Sequence, residues 1–433
     1  MRYKISKPFP LTNALRARLL LWAQQFEHVA WYDSNDHQDD LSAYDALLAV
    51  DASEVIKAYI PNAFASLEEF QSTHNDWLFG YFSYDLKNEI ELLQSKHHDL
   101  MKFPDLYFFR PKRVLYWKED QVFFEYLEGD EGMIHSDWHA IQNTTVPKDF
   151  FASENSHPVS LRLRTEKEQY FEKFNTLHDH IQRGDIYEVN FCQEFYAEGQ
   201  PIDAVKTYWH LNEISKPPFA SFVRLQEKFV LSASPERFLK KKAQHLWSQP
   251  IKGTAPRSSD EKEDQVFKKQ LENNPKERSE NIMIVDLVRN DLSRIATQNS
   301  VRVLELCDIR SYSQVHQMLS TIACELNPEV SSVAAIRATF PMGSMTGAPK
   351  IAAMRCIEAV EDAKRGVYSG AVGYFTPESD FDFNVVIRTI LYDASKRCIS
   401  FSVGGAITIQ ANATDEYLEC LLKAKAMRQV LEA

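Results

Sequence analysis

Short runs of apolar and aromatic side chains, with stretches that alternate at period 2, fill the first third of the chain. HVAWYD (28–33), DALLAVD (45–51), DWLFGYFSYDL (76–86), DLYFFRPKRVLYW (105–117) and QVFFEYL (121–127) are rich in aromatic and β-branched residues and read as strands of an antiparallel sheet. One helix candidate, 11–26, precedes them. Residues 128–160, from EGDEGMIHSDW to VPKDFFASENSHPVS, are polar and aperiodic. They read as a connection between two subdomains, 1–150 and 151–433.

Beyond it the pattern becomes mixed. TEKEQYFEKFNTLHDHIQRG (165–184) predicts a helix opened by a capping box of Thr165 and Glu168 and closed by Gly184. Further helices are expected near 202–214, 260–273, 275–296, 328–339, 348–362 and 414–432, and strands at 220–233, 245–252, 300–307, 367–376, 382–394 and 397–404. The strands are mostly joined as hairpins, which favours an α+β fold with large antiparallel sheets over a regular βαβ winding.

Composition narrows the partners. A chain of 433 residues with 44% hydrophobic residues can bury a sizeable core, and its formal net charge of −12, without a basic patch, argues against nucleic acid or an anionic membrane surface. An anionic small substrate would need a metal ion or dedicated Arg and Lys residues. The six cysteines are scattered without CxxC pairs, which suits a reducing, cytoplasmic setting. The basic start has its apolar run broken by Arg16 and Arg18, so neither a signal peptide nor a membrane span is expected there.

Four features carry candidate chemistry. In QPIKGTAPR, Pro250, Gly253 and Pro256 fix a strand end running into a turn, and Lys252 held there is a candidate nucleophile if its amine is neutral; a solvated surface lysine is the plainer alternative. Seven of the 13 glycines (343, 347, 366, 370, 373, 404 and 405) fall in one stretch, which points to close backbone approach. PMGSMTGAPK sets Gly-Ser-Met-Thr-Gly before a helix with Pro349 in its first turn, so that free amides face an anion; a tight turn and helix cap is the alternative. Glu277 with Glu280, and Glu416 with Glu419, each lie three apart on a helix face, and four carboxylates converging from two helices would suit Mg²⁺. Glu277 as partner of an Asn274 cap, Glu416 at a helix N-terminus and a Glu419–Lys423 pair account for the same spacing without metal. Glu236, in SASPERF, becomes a general-acid candidate if its strand adjoins that of Lys252.

Assembled in order, GDIYEVNFCQEF, SASPERF, PIKGTAPR, ERSENIMIVDLVRNDL, GSMTGAPKIAAM, RGVYSGAVGYF, DFNVVIRTI and GGAITIQANATDEYLECLLKAKAM resemble the chorismate-utilising enzymes, over about 183–427. WLFGYFSYDLKNEIE and FPDLYFFRPKRVLYW extend the likeness through most of the first half. The resemblance implies two large antiparallel sheets packed together with helices outside, in two interleaved α+β subdomains. It implies that Lys252 attacks C2 of chorismate and displaces the C4 hydroxyl, that Glu236 protonates that hydroxyl, and that ammonia then expels the lysine. The product would be 4-amino-4-deoxychorismate, a precursor of 4-aminobenzoate and folate. Lysine in PIKGT is the mark of this amino-transferring branch, since anthranilate-forming members typically carry alanine there. By the same matching, Glu280 and Glu419 would bind Mg²⁺ directly and Glu277 and Glu416 through water, while Thr346, Tyr368, Arg388, Gly404, Gly405 and Lys423 would hold the substrate.

Two positions depart from the pattern. Glu188 stands where amino-transferring relatives have glutamine and isochorismate-forming ones a lysine, and Gln317 stands where anthranilate-forming ones have a histidine, with His316 next to it. Ammonia is expected from a glutamine amidotransferase partner, because no cysteine here sits in a glutaminase-type elbow. The region 30–52 resembles a tryptophan-binding segment, with Ser34 as its candidate. Anthranilate formation, and a catalytically inactive chorismate-binding subunit, are the competing readings.

Overall fold

The computed structural model describes residues 1–37, 39–152, 158–312 and 315–432. Parts of two segments singled out in the sequence, residue 38 and 153–157, lie outside them.

Two long strands carry the architecture. Ala46–Ala58 and Leu106–Lys118 pair antiparallel from Ala46 opposite Trp117 to Ala58 opposite Leu106, with a bulge between Ala52 and Glu54. Along Leu106–Lys118 the other neighbour changes: Leu106 to Phe109 pair with Leu78–Phe82, whereas Arg113 to Lys118 pair with Gln121–Leu127. A strand that changes partner in mid-course belongs to two sheets, and the bulge supplies the bend. The first sheet continues from Ala46–Ala58 through His28–Asp33, Phe219–Leu225, Lys228–Ser234, Thr389–Asp393 and Cys398–Thr408 to Glu188–Ala197. The second runs from Leu78–Phe82 through Ala371–Phe375, Phe381–Val385, Arg237–Lys242 and His245–Gln249 to Val315–Glu325. Ile251–Pro256 and Arg302–Ser311 flank that last strand.

Successive residues of these strands enter different hydrophobic layers. On Ala46–Ala58, Leu47 and Ala49 point into the core between the sheets, while Ala46, Leu48 and Val50 join the outer core under the helices Asn13–Ala23, Ala204–Ser215 and Ala413–Glu432. On Leu78–Phe82, Phe79 and Tyr81 face inward, while Leu78 and Phe82 join the opposite outer core with the helices Ala63–His74, Pro275–Ser293 and Ser332–Thr339. The architecture is thus the expected pair of packed antiparallel sheets with helices outside. Segments from either side of residue 150 interleave in it, since His28–Asp33 pairs with Phe219–Leu225 and Leu78–Phe82 with Ala371–Phe375.

Several local expectations change. The helix expected from 165 spans Lys167–Gln182, capped by Glu166 with Gln169; the Thr165 hydroxyl instead donates to Asp362 Oδ2 at 2.7 Å. The polar connection contains a helix, Met133–Asn143, which buries Ile134, Trp138 and Ile141 and sets Asp137 3.1 Å from Arg113. Pro250 divides the strand expected at 245–252 into His245–Gln249 and Ile251–Pro256. The strand expected at 382–394 breaks at Arg388, whose φ of +52° turns the chain from one sheet into the other.

Gly80 and Gly373 face each other where the second sheet begins, and a Cβ on them would lie 1.9 Å from the Tyr107 carbonyl and 2.1 Å from that of Asp382. Backbone cannot yield as a side-chain tip can. Gly80→Ala is therefore expected to destabilise the fold by roughly 1–3 kcal/mol, read as a lower urea midpoint at unchanged slope.

Candidate active site

The site is built where two chain segments cross between the sheets side by side. One leaves Lys228–Ser234 and enters Arg237–Lys242; the other leaves Phe381–Val385 and enters Thr389–Asp393. They are tied together by Ala233 N–H donating to the Arg388 carbonyl at 3.1 Å and Val385 N–H donating to the Glu236 carbonyl at 3.0 Å. Glu236 and Arg388 are thereby fixed at neighbouring corners. The Glu236 carboxylate accepts from Ser344 Oγ at 2.5 Å and from the Ile251 amide. Burial pushes its pKa up to about 7, against the pull of those donors and of Lys252. Sequence reasoning missed Ser344, although it lies within the glycine-rich stretch.

Lys252 extends from Ile251–Pro256 on the floor beside Glu236. The next residue, Gly253, has a φ of +93°, and a Cβ there would come within 3.0 Å of Glu277 Oε2. Glycine thus lets the helix Pro275–Ser293 lie directly on the strand, which places the acidic helix end over the lysine. The Lys252 side chain is 10% exposed and donates from Nζ to Glu188 Oε1 at 2.7 Å. Burial lowers its pKa, but the charges of Glu188, Glu280 and Glu236 outweigh that and hold it above the ordinary value. The neutral amine expected from burial or a nearby cation is therefore not the resting form.

The two carboxylate pairs lie on helices that meet at Lys276. Asn274 caps the helix, accepting from Lys276 N–H at 3.0 Å and Glu277 N–H at 3.3 Å. From Ala413–Glu432, Glu416 reaches the place where a Cβ on Gly405 would meet its Oε2 at 2.7 Å. Lys276 Nζ lies 3.0 Å from Glu416 Oε1 and 3.9 Å from Glu280 Oε1, and Lys423 Nζ lies 2.7 Å from Glu419 Oε1 while donating to the Gly404 carbonyl at 2.8 Å. Burial pushes Glu280 up to about 7, and burial raises Glu277 and Glu416 too; Glu419 is also desolvated but Lys423 holds it below the usual range. Glu280 Oε1 is buried without a hydrogen-bond donor among the described residues. Among those residues no three His, Cys, Asp or Glu side chains close on a common point, and Lys276 stands between the two helices' carboxylates. The donor set, all oxygen and under-neutralised, fits a hard divalent cation that would take over from Lys276.

The glycine-rich stretch does something other than expected. The amides of Met345 and Thr346 close a turn onto the Met342 and Gly343 carbonyls, and the following helix, Lys350–Val360, begins after Pro349, which is its cap rather than part of its first turn. Two of the amides expected to face an anion are thus spent on the turn's own carbonyls. Gly347, at φ +145°, presses against the strand Glu188–Ala197, where a Cβ would meet the Glu188 carbonyl at 2.2 Å. Thr346 is fully buried, its hydroxyl donating to the Gly343 carbonyl at 3.2 Å.

Of the other expected substrate residues, Gly404 and Gly405 lie opposite Cys192 and Phe191 in the first sheet, and the buried Tyr368 hydroxyl is 3.5 Å from Cys192 Sγ. The Arg388 guanidinium makes no hydrogen bond or ion pair among the described residues, and burial lowers its pKa. A desolvated cation with unused donors is a receptor for a carboxylate. Gln317 is buried with Oε1 unpartnered, whereas His316 is held between Ser311 Oγ at 2.8 Å and Asp264 Oδ1 at 3.0 Å. Ser34 lines a separate small cavity with Tyr44, Phe219, Arg237 and Asp382.

A profile described as chorismate binding enzyme matches residues 20–429. Aminodeoxychorismate synthase component 1 from Klebsiella aerogenes is 33% identical over 357 residues, 82% of this chain and 77% of that one. An anthranilate synthase component I-like protein from Synechocystis is 32% identical over 379 residues, 86% of this chain and 76% of its own. The crystal structure of anthranilate synthase component I from Streptococcus pneumoniae superposes with a TM-score of 0.78 at 25% identity, covering 91% of this chain and 94% of that one. The menaquinone-specific isochorismate synthase of Escherichia coli shares the fold, with a TM-score of 0.76 at 16% identity and coverage of 100% and 95%. With a matching profile over nearly its whole length, this chain belongs to the chorismate binding enzyme family.

Proposed function

We propose that the protein aminates chorismate to 4-amino-4-deoxychorismate. The observation that carries this reading is Lys252, an amine on a rigid strand with the Glu236 carboxyl, of pKa about 7, acting on it. In this reading Arg388 receives a substrate carboxylate and Thr346 lies in the loop closing over the ring, with Tyr368, Gly404, Gly405 and Lys423 around it. Lys252 Nζ bonds to C2, the ring double bonds shift, and the C4 hydroxyl leaves as water with a proton from Glu236. Ammonia then bonds to C4, and the pair joining C2 to nitrogen returns to Lys252. A carboxyl with a pKa near working pH suits the acid role, because it carries the proton and still releases it.

Glu280 and Glu419, with Glu277 and Glu416 behind them, would hold Mg²⁺, whose charge, when bound, fixes the ring carboxylate beside the acidic helix ends. Because the relatives are named as a first component, a glutaminase is the partner expected to supply ammonia, in folate-related metabolism of the cytoplasm. Anthranilate as product would call for an acid at 317, where glutamine stands, and His316 is committed to Ser311 and Asp264. Ser34 and its cavity remain the candidate for a tryptophan-like ligand.

Incubation with chorismate, Mg²⁺ and ammonium, followed by a pyruvate-removing lyase, is expected to yield 4-aminobenzoate by chromatography; anthranilate as main product overturns the reading. Lys252→Ala should abolish turnover. Glu236→Gln should lower kcat by roughly 10²–10⁴. An acid must be protonated to act, so the Glu236 group contributes a limb along which kcat/KM falls as pH rises through about 7, and Glu236→Gln should erase that limb. Mg²⁺ should raise the melting temperature of the substrate-free protein, and Glu280→Gln should remove most of that shift.

A further inference from the structure

Glu188 has no part in the scheme above, and it touches the reacting atom. Its strand, Glu188–Ala197, is clamped on both sides, with Thr408 opposite Glu188 in the neighbouring strand and Ala348 opposite it on the other edge. Gly347 packs against its carbonyl with no room for a Cβ. The side chain is 1% exposed; Oε1 receives the Lys252 proton donor at 2.7 Å, and Oε2 is buried with no partner among the described residues. A buried ion pair is an uneconomical device for stability alone, since apolar side chains of similar volume often do as well. Glu236, Glu280, Glu277 and Glu419 are the other carboxylates whose charge reaches Lys252; the first is bound to Ser344 and the Ile251 amide, and the other three belong to the acidic helix ends.

We propose that Glu188 is the base that takes the proton from Lys252 as the amine attacks the ring, and returns it when the amine leaves. The inference rests on the reading of Lys252 as nucleophile. Lys252–NH₃⁺ and Glu188–COO⁻ become Lys252–NH₂ and Glu188–COOH; the nitrogen pair then forms the bond to C2 while Glu236 gives its proton to the departing hydroxyl. The adduct is a secondary ammonium. When ammonia bonds to C4, the C2–N bond breaks with its pair on nitrogen, Lys252 leaves as the neutral amine and recovers its proton from Glu188. Glu236 is re-protonated from the new C4 ammonium. The sum is chorismate plus ammonia giving the amino product plus water. A glutamine at 188 can accept a hydrogen bond from Lys252 but cannot keep its proton, so glutamate here gives this chain a base inside the closed pocket.

The test is Glu188→Gln, with Glu188→Ala alongside, in the full chain with chorismate, Mg²⁺ and ammonium. Glu188→Gln preserves shape and one acceptor; it should lower kcat roughly 10²-fold or more, change KM for chorismate less than threefold, and make the rate climb with pH as solvent hydroxide replaces the carboxylate. Added formate should restore Glu188→Ala at least tenfold. Retention of wild-type kcat by Glu188→Gln, or a loss accompanied by neither a changed pH profile nor formate rescue, overturns the proposal and leaves Glu188 a structural partner. Lys252→Ala, run in parallel, separates the two readings: if it turns over normally, the nucleophile assignment itself fails whatever Glu188 does.

Discussion

The paired crossing of two chain segments between the sheets is the constraint on which the rest depends. Antiparallel sheets satisfy their backbone groups internally, and a chain leaving one for the other must find new partners for the residues in between. Here the two crossings satisfy each other, through Ala233 with Arg388 and Val385 with Glu236. A carboxyl and a guanidinium are thereby presented at the seam of the sandwich without relying on a flexible loop. The hydrophobic layers on either side hold the seam shut, and the mouth is finished by the helices Pro275–Ser293 and Ala413–Glu432.

Into this seam the chain places more negative than positive charge. Glu188, Glu236, Glu280, Glu277 and Glu416 surround Lys252 and Lys276, and burial makes several of these carboxylates hold protons more tightly than in water. That arrangement is poor for stability and good for chemistry in which protons must change places within a few ångströms. Lys252 is outnumbered, and the surrounding carboxylates favour its charged form.

Much of this was legible in the sequence, for identifiable reasons. Aromatic and β-branched runs revealed the strands because three apolar layers bury many of them on both faces, whereas the glycine in PIKGT, read as part of a turn, lies inside a strand where a helix presses on it. Glu277 and Glu280, and Glu416 and Glu419, were visible as pairs because helical spacing is local. What spacing does not encode is contact across the fold. Nothing near Ser344 announces that it binds Glu236, and nothing near Lys276 announces that it stands between two helices' carboxylates. The amides of the glycine-rich stretch looked free because their partners, the carbonyls of Met342 and Gly343, become available only once the turn forms. The helix Met133–Asn143 hid behind its polar residues because Asp137 is buried as a partner of Arg113, so charge there did not mean surface.

Arg388 adopts a backbone conformation that L-residues with side chains occupy at a cost on the order of 1 kcal/mol, and that glycine would adopt freely. Folding and function therefore ask for different residues at one position. Selection for heat tolerance alone would drift toward glycine at 388, and a library ranked by melting temperature would promote variants that have lost this unpaired guanidinium.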